Sequence, residues 1–177
     1  MSEKELPHKV DAYRFADNEI ALQGTLKIRD MQRLVGYLAT DAGDVKVDLA
    51  FGVDEQKIRF MRGKFEAHVT LKCQRCLEPF EYPITGRFML GMVESEEEVD
   101  HLPKGYDSVL IREGMLIIPD VIEDELIVSL PLVPMHALVD CKVKLPLEIN
   151  SEQHEESEKE NPFKVIELLR SKRNSND

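Results

Sequence analysis

Val45-Lys46-Val47-Asp48-Leu49-Ala50-Phe51 alternates apolar residues with polar or small ones, and the pattern returns twice more before Val93. Val45, Val47, Leu49 and Phe51 share one face, and Gly52 to Lys57 supply a turn. Ile58 and Phe60 continue the alternation, Gly63 interrupts it, and Phe65, Ala67, Val69 and Leu71 resume it. After Cys73-Gln74-Arg75-Cys76, the residues Phe80, Tyr82, Ile84, Phe88 and Leu90 make another extended stretch. A period of two marks half-buried strands. Four consecutive strands joined by short turns make an antiparallel meander, which can curl into a barrel or be covered on one side by helices. The fold class is therefore α+β, a β-meander with a few peripheral helices.

Outward from this stretch the period changes. Ile20, Leu22, Leu26 and Ile28 fall on one face of a further strand, and a short strand is expected near Val10 to Phe15. Asp30 suits an N-cap for a helix from Met31 to Ala39, with Met31, Leu34, Val35 and Leu38 at helical spacing. Val109 to Ile111 and Met115 to Ile118 flank Arg112-Glu113-Gly114 as a hairpin would. Pro119 suits the first turn of a helix over Asp120 to Leu130, which Pro131 ends. A buried strand over Leu126 to Val133 is the alternative. Residues 1–150 are expected to form one domain, followed by an acidic linker over 151–160 and an amphipathic helix and tail over 161–177. That helix starts at Asn161-Pro162-Phe163 and docks either on its own domain or on a partner.

The chain has 177 residues, with 23 Lys plus Arg against 34 Asp plus Glu, a formal charge of −11. No apolar run approaches the roughly 18 residues of a membrane span. The opening Met-Ser-Glu-Lys-Glu-Leu-Pro has neither a basic start nor an apolar stretch, so no secretory signal is expected. These readings give a cytoplasmic chain without a membrane partner. Its charge disfavours nucleic acid overall but is unevenly distributed. Ten carboxylates sit between Glu94 and Asp100 and between Glu152 and Glu160. From Lys57 to Arg75, by contrast, Lys57, Arg59, Arg62, Lys64, Lys72 and Arg75 face only Glu66.

The three cysteines, Cys73, Cys76 and Cys141, are an odd count that argues for reduced thiols. The Cys73–Cys76 spacing lets two thiolates converge on one ion at a tight turn. The redox form of this spacing opens a helix, whereas here Leu77-Glu78-Pro79-Phe80 returns to a strand pattern. With His136 and Cys141 the pair makes a candidate Cys₃His site for one structural zinc ion. Three reduced thiols and a surface histidine are the alternative reading.

Three segments together resemble the YceD family of bacterial proteins. They are Leu71-Lys72-Cys73-Gln74-Arg75-Cys76-Leu77-Glu78-Pro79-Phe80, the block from Val121 to Pro134, and the ending that starts at Asn161-Pro162-Phe163. The likeness in order and spacing covers roughly residues 45–173. It implies a role in accumulation of large-subunit ribosomal RNA, through synthesis, processing or stability, and implies no catalytic activity. Partners would be that RNA or ribosome-assembly proteins. Many members outside the proteobacteria carry a cysteine-rich segment after the second block. Here that place holds His136-Ala137-Leu138-Val139-Asp140-Cys141, so a metal role must stand on this chain's own residues.

An RNA contact would fall on Arg75, Lys72, Arg59, Arg62 and Lys64, because basic side chains bind phosphate and neighbouring aromatics stack on unpaired bases. Arg75 comes first, since it is expected to project from the turn. The plain alternative is a solvated strand face. Glu123, Asp124 and Glu125 are adjacent, point in different directions on a helix, and suit its solvated side. No nucleophile elbow, phosphate-binding loop or paired zinc-protease histidines occur, so neither an enzyme nor a small-molecule substrate is expected. A protein-binding adaptor in ribosome assembly, without direct RNA contact, is the alternative function.

Overall fold

In the computed structural model, which describes residues 5–143, the elements follow one another as β1 (Lys9–Asp11), α1 (Ala12–Asp17), β2 (Ala21–Lys27), α2 (Gln32–Val35), β3 (Asp44–Val53), β4 (Arg59–Lys72), β5 (Pro79–Val93), β6 (Asp107–Leu110), β7 (Met115–Ile117) and α3 (Ile118–Ser129). The main sheet has the order β2-β3-β4-β5-β6, antiparallel from β2 to β5, with β6 added parallel to β5. The sheet stays open. Its inner face carries Val47, Leu49, Phe51, Met61, Phe65, Val69 and Leu71 into the core, closed over by the helices. Phe15 of α1 meets Phe51 edge-on at 5.4 Å. Among the described residues no helix is long and apolar enough to cross a membrane. The expected linker and terminal helix lie outside the described residues.

Gly63 does not break β4, which runs unbroken for 14 residues. It faces Phe88 across the ladder, and two residues on Phe65 faces Gly86. A Cβ on Gly63 would come within 2.2 Å of the Phe88 ring, and one on Gly86 within 2.2 Å of the Phe65 ring. Each ring thus lies in the space its partner strand leaves empty, and the rings sit 6.4 Å apart. The glycine is a fitted position in the strand rather than an interruption.

Other local expectations are revised by tertiary partners. Of the expected Val10–Phe15 strand only Val10 and Asp11 are extended, within β1, because the Asp11 carboxylate accepts from Arg14 N–H and starts α1. The expected Met31–Ala39 helix is a single turn, Gln32–Val35, and Asp30 does not cap it. Its cap comes from α3: Glu123 accepts from the backbone N–H groups of Arg33 (2.6 Å) and Leu34 (3.0 Å) and from Arg33 Nε–H (2.9 Å). Arg33 also pairs with Asp124. Glu123 is therefore not on a solvated face but only 6% exposed, a buried charge satisfied by donors that would otherwise lack partners. Its bonds hold the Arg33 guanidinium above its ordinary pKa, against the opposing effect of burial.

The expected hairpin after residue 108 divides instead. β6 joins the main sheet beside β5, and β7 pairs with β1 in a separate two-stranded sheet. Helix α3 forms as expected, which removes the alternative strand over Leu126 to Val133.

Gly63→Ala should lose about 1–3 kcal/mol by forcing the Phe88 ring from its seat. Glu123→Ala should lose about 2–4 kcal/mol by stranding two backbone donors. Urea denaturation of each variant measures both.

Candidate functional site

β3 pairs with β4 only as far as Ala67, whereas the β4–β5 pairing continues to Lys72 opposite Pro79. The end of this hairpin is a two-stranded arm, and such ribbons are marginal alone. Its loop is Cys73 to Glu78. Cys73 N–H donates to the Glu78 carbonyl (2.9 Å) and Leu77 N–H to the Cys73 carbonyl (2.8 Å), closing a tight knuckle. Leu77 closes it with φ of 64°, a left-handed conformation that few side chains adopt.

The segment after α3 folds back onto this knuckle. Gln74 N–H donates to the Pro134 carbonyl at 2.9 Å, and the Phe80 ring stacks on the His136 ring at 5.3 Å. Sulfur atoms of Cys73, Cys76 and Cys141 and a ring nitrogen of His136 all lie within 4.8 Å of one another. The four ligands expected from the spacing are thus brought together. They form a soft, three-sulfur, one-nitrogen set of the kind that holds zinc.

The electrostatics of the cluster suit a cation. Burial works to raise the Cys73 pKa, but backbone N–H groups of Cys76, Arg75 and His136 outweigh it and bring the thiol down to about 6. Cys76 is pushed up instead, by burial and by the neighbouring Cys73 and Cys141 sulfurs, against a backbone hydrogen bond at Glu78. A divalent ion removes the cost of placing several thiolates together. His136 Nε2 is 3.1 Å from the Asp140 carbonyl, and its Nδ1 is buried without a hydrogen-bond partner. Nε2 also lies 3.6 Å from Cys76 Sγ, so it is the ring nitrogen set beside a cluster sulfur and the one that would meet an ion.

Arg75 does not project from the turn. It is half-buried, and its Nε–H donates to Cys141 Sγ (2.9 Å) while Nη2 donates to the His136 carbonyl (3.1 Å). It ties the second ligand pair to the first. The spacing of charges along the chain could not show this, because the acceptors lie more than 60 residues away.

The remaining basic candidates separate. Arg59 lies on the helix side, paired with Asp17 at 2.7 Å and set over the Tyr13 ring at 5.4 Å. Arg62, Lys64 and Lys72 are exposed on the outer face of the sheet, where Lys64 meets Asp48 at 2.8 Å. The strand register adds Arg87, directly opposite Lys64, and Lys46 opposite Glu66. Both fall outside the basic window of the sequence, and strand pairing is the signal that finds them.

Apolar side chains are exposed near the Cys₃His cluster. Leu77 is 61%, Leu132 fully and Val139 89% exposed, an uncommon concentration of aliphatic surface.

No solved structure matches the chain. A family model described as "Large ribosomal RNA subunit accumulation protein YceD" matches residues 61–170, a span that contains Cys73, Cys76, Glu123, His136 and Cys141. A relative in Haemophilus influenzae bearing that same description is 34% identical over 174 residues, covering 97% of this chain and 100% of the relative. A likeness that runs through the knuckle, the buried glutamate and both ligand pairs, along nearly the whole of two chains, places this protein in the YceD family.

Proposed function

We propose that this chain is a non-catalytic cytoplasmic factor that supports accumulation of large-subunit ribosomal RNA by binding RNA. The observation that carries the reading is the full-length relative, which is named for that accumulation. The exposed basic face of the sheet supports RNA as the partner, since phosphate binding needs free cations rather than a positive overall charge. Lys72 and Arg62 would contribute directly, and Lys64 would do so while sharing Asp48. Arg59 and Arg75 are engaged elsewhere in the fold.

In this reading Cys73, Cys76, His136 and Cys141 hold one structural zinc ion. The ion supplies charge neutralisation and a four-point crosslink. The chain's own part is to deliver two ligands on a hairpin tip, two on the segment after α3, and Arg75 between them. The same proposal takes residues 1–150 as one domain, 151–160 as an acidic linker and 161–177 as an amphipathic helix and tail.

A second reading is favoured by the exposed Leu77, Leu132 and Val139, which suit contact with a ribosome-assembly protein better than contact with phosphate. In-cell crosslinking with parallel recovery of RNA and protein separates the two. Reads enriched in large-subunit ribosomal RNA are expected, and protein-only crosslinks would favour the adaptor.

Protein purified without a histidine tag should carry one zinc ion per chain by elemental analysis. Substoichiometric traces would reject the site. Arg75→Ala should weaken zinc by about 10–100-fold in chelator competition, the scale of losing an orienting partner of a ligand. Unchanged affinity would show that Arg75 does not position Cys141.

A further inference from the structure

The outer face of the main sheet contains the feature that best defines a partner. At one end the face is covered: Tyr106 lies beside Phe60 at 6.4 Å, and Leu102 fills the space above Gly91. Beyond that cover the face is open, and a shallow hollow of about 400 Å³ lies between two cross-strand rows. One row is Ala50, Arg62 and Met89, and the other is Asp48, Lys64 and Arg87. The volume is within the range of ordinary small-ligand sites.

Several cations elsewhere in the fold are each held by an acceptor. Arg33 is occupied by Glu123 and Asp124, Arg59 by Asp17, Arg75 by Cys141 and Lys142 by Glu78. Among the described residues, Arg62 and Arg87 are exposed and have neither an ion pair nor a side-chain hydrogen bond. Lys64 shares Asp48, so the rim keeps an excess of positive charge. Arg87 acts on the Lys64 ammonium as a neighbouring like charge, opposing the upward pull of Asp48. In a chain of charge −11, uncommitted arginines converging on one hollow call for an anionic occupant.

We infer that this hollow seats one unpaired base of single-stranded RNA, with Arg62, Lys64 and Arg87 on the flanking phosphates. Arg62 and Lys64 are two residues apart on one strand face, about 7 Å, so they meet different points of an extended backbone. Ala50 and the Met89 thioether, apolar and half-buried, line the hollow, and a polarizable sulfur makes a favourable contact with an aromatic base. A duplex keeps its base faces stacked inside and presents a ridge of phosphates that a recess cannot use. This inference rests on the RNA-binding reading above and specifies its site and substrate form.

Fluorescence anisotropy with the full-length protein tests it, using a short unstructured RNA, the same sequence in a perfect duplex, and a large-subunit ribosomal RNA transcript. The unstructured RNA should bind at least about tenfold more tightly than the duplex. Arg62→Ala/Arg87→Ala should weaken it by about tenfold and lower the slope of log affinity against log salt by about 1.4, the contribution of two single-strand phosphate contacts. Arg59→Ala, on the other side of the sheet, should stay within about twofold. Both substituted side chains are exposed, so an unchanged melting temperature verifies folding, and Arg87→Glu gives a second variant that should abolish binding. Equal affinity for the duplex, or wild-type affinity in the double variant, overturns the inference. If the transcript binds wild type and double variant alike, RNA binding survives and this site fails. If no RNA is retained at all, both fall.

Discussion

The pairing of β4 with β5 sets the position of everything else. Thirteen facing pairs run from Phe60 opposite Gly91 to Lys72 opposite Pro79. Within them two buried inner phenylalanines each oppose a glycine, Phe88 on Gly63 and Phe65 on Gly86. A slip of one residue would turn the apolar set outward and set the rings against side chains, so this register has no neighbouring competitor. With the register fixed, Cys73 and Cys76 fall on the turn and Lys64 stands beside Arg87. The Cys₃His cluster and the basic face are two consequences of one ladder.

Charge in this protein is managed by placement. Glu123 is withdrawn from water and used as a cap and brace between α2 and α3, an arrangement that keeps a one-turn helix in place. Arg33, Arg59 and Lys142 each meet an acid, while the run Glu96–His101 lies exposed in a 3-10 turn away from the core. On the outer face of the sheet, Arg62, Lys72 and Arg87 are exposed and meet no such acid among the described residues. Net charge averages over these compartments and so says little about any one of them.

The sheet was legible in the sequence because alternation is a local property and Val45 to Leu90 carry it almost without interruption. Gly63 read as a break because its partner, Phe88, is 25 positions away and only the ladder brings them together. The four candidate ligands were found from spacing, since thiol and imidazole placement around a tight turn is also local. Arg75 and Glu123 were misplaced for a shared reason: each is a charged residue whose partners are distant in sequence, and local reading assigns such residues to solvent. For Glu123 a trace existed, because it sits four positions before Ile127 and three before Leu126, on the margin of the buried stripe. The division of β6 from β7 had no such trace, as both segments satisfy a hairpin pattern equally.

The limited reach of β6 has a further consequence. It pairs with β5 only from Leu90 to Val93, so among the described strands the earlier part of β5 has a partner on one side alone. A long edge of this kind offers free backbone groups to any passing strand. Here that part of β5 holds Pro79 and Pro83, which have no N–H to offer, and both lie in the arm beyond the reach of β3. The two-stranded arm is therefore poor in the donors that would recruit a second molecule. The sequence that presents the knuckle to its ligands also keeps it from growing into a larger sheet.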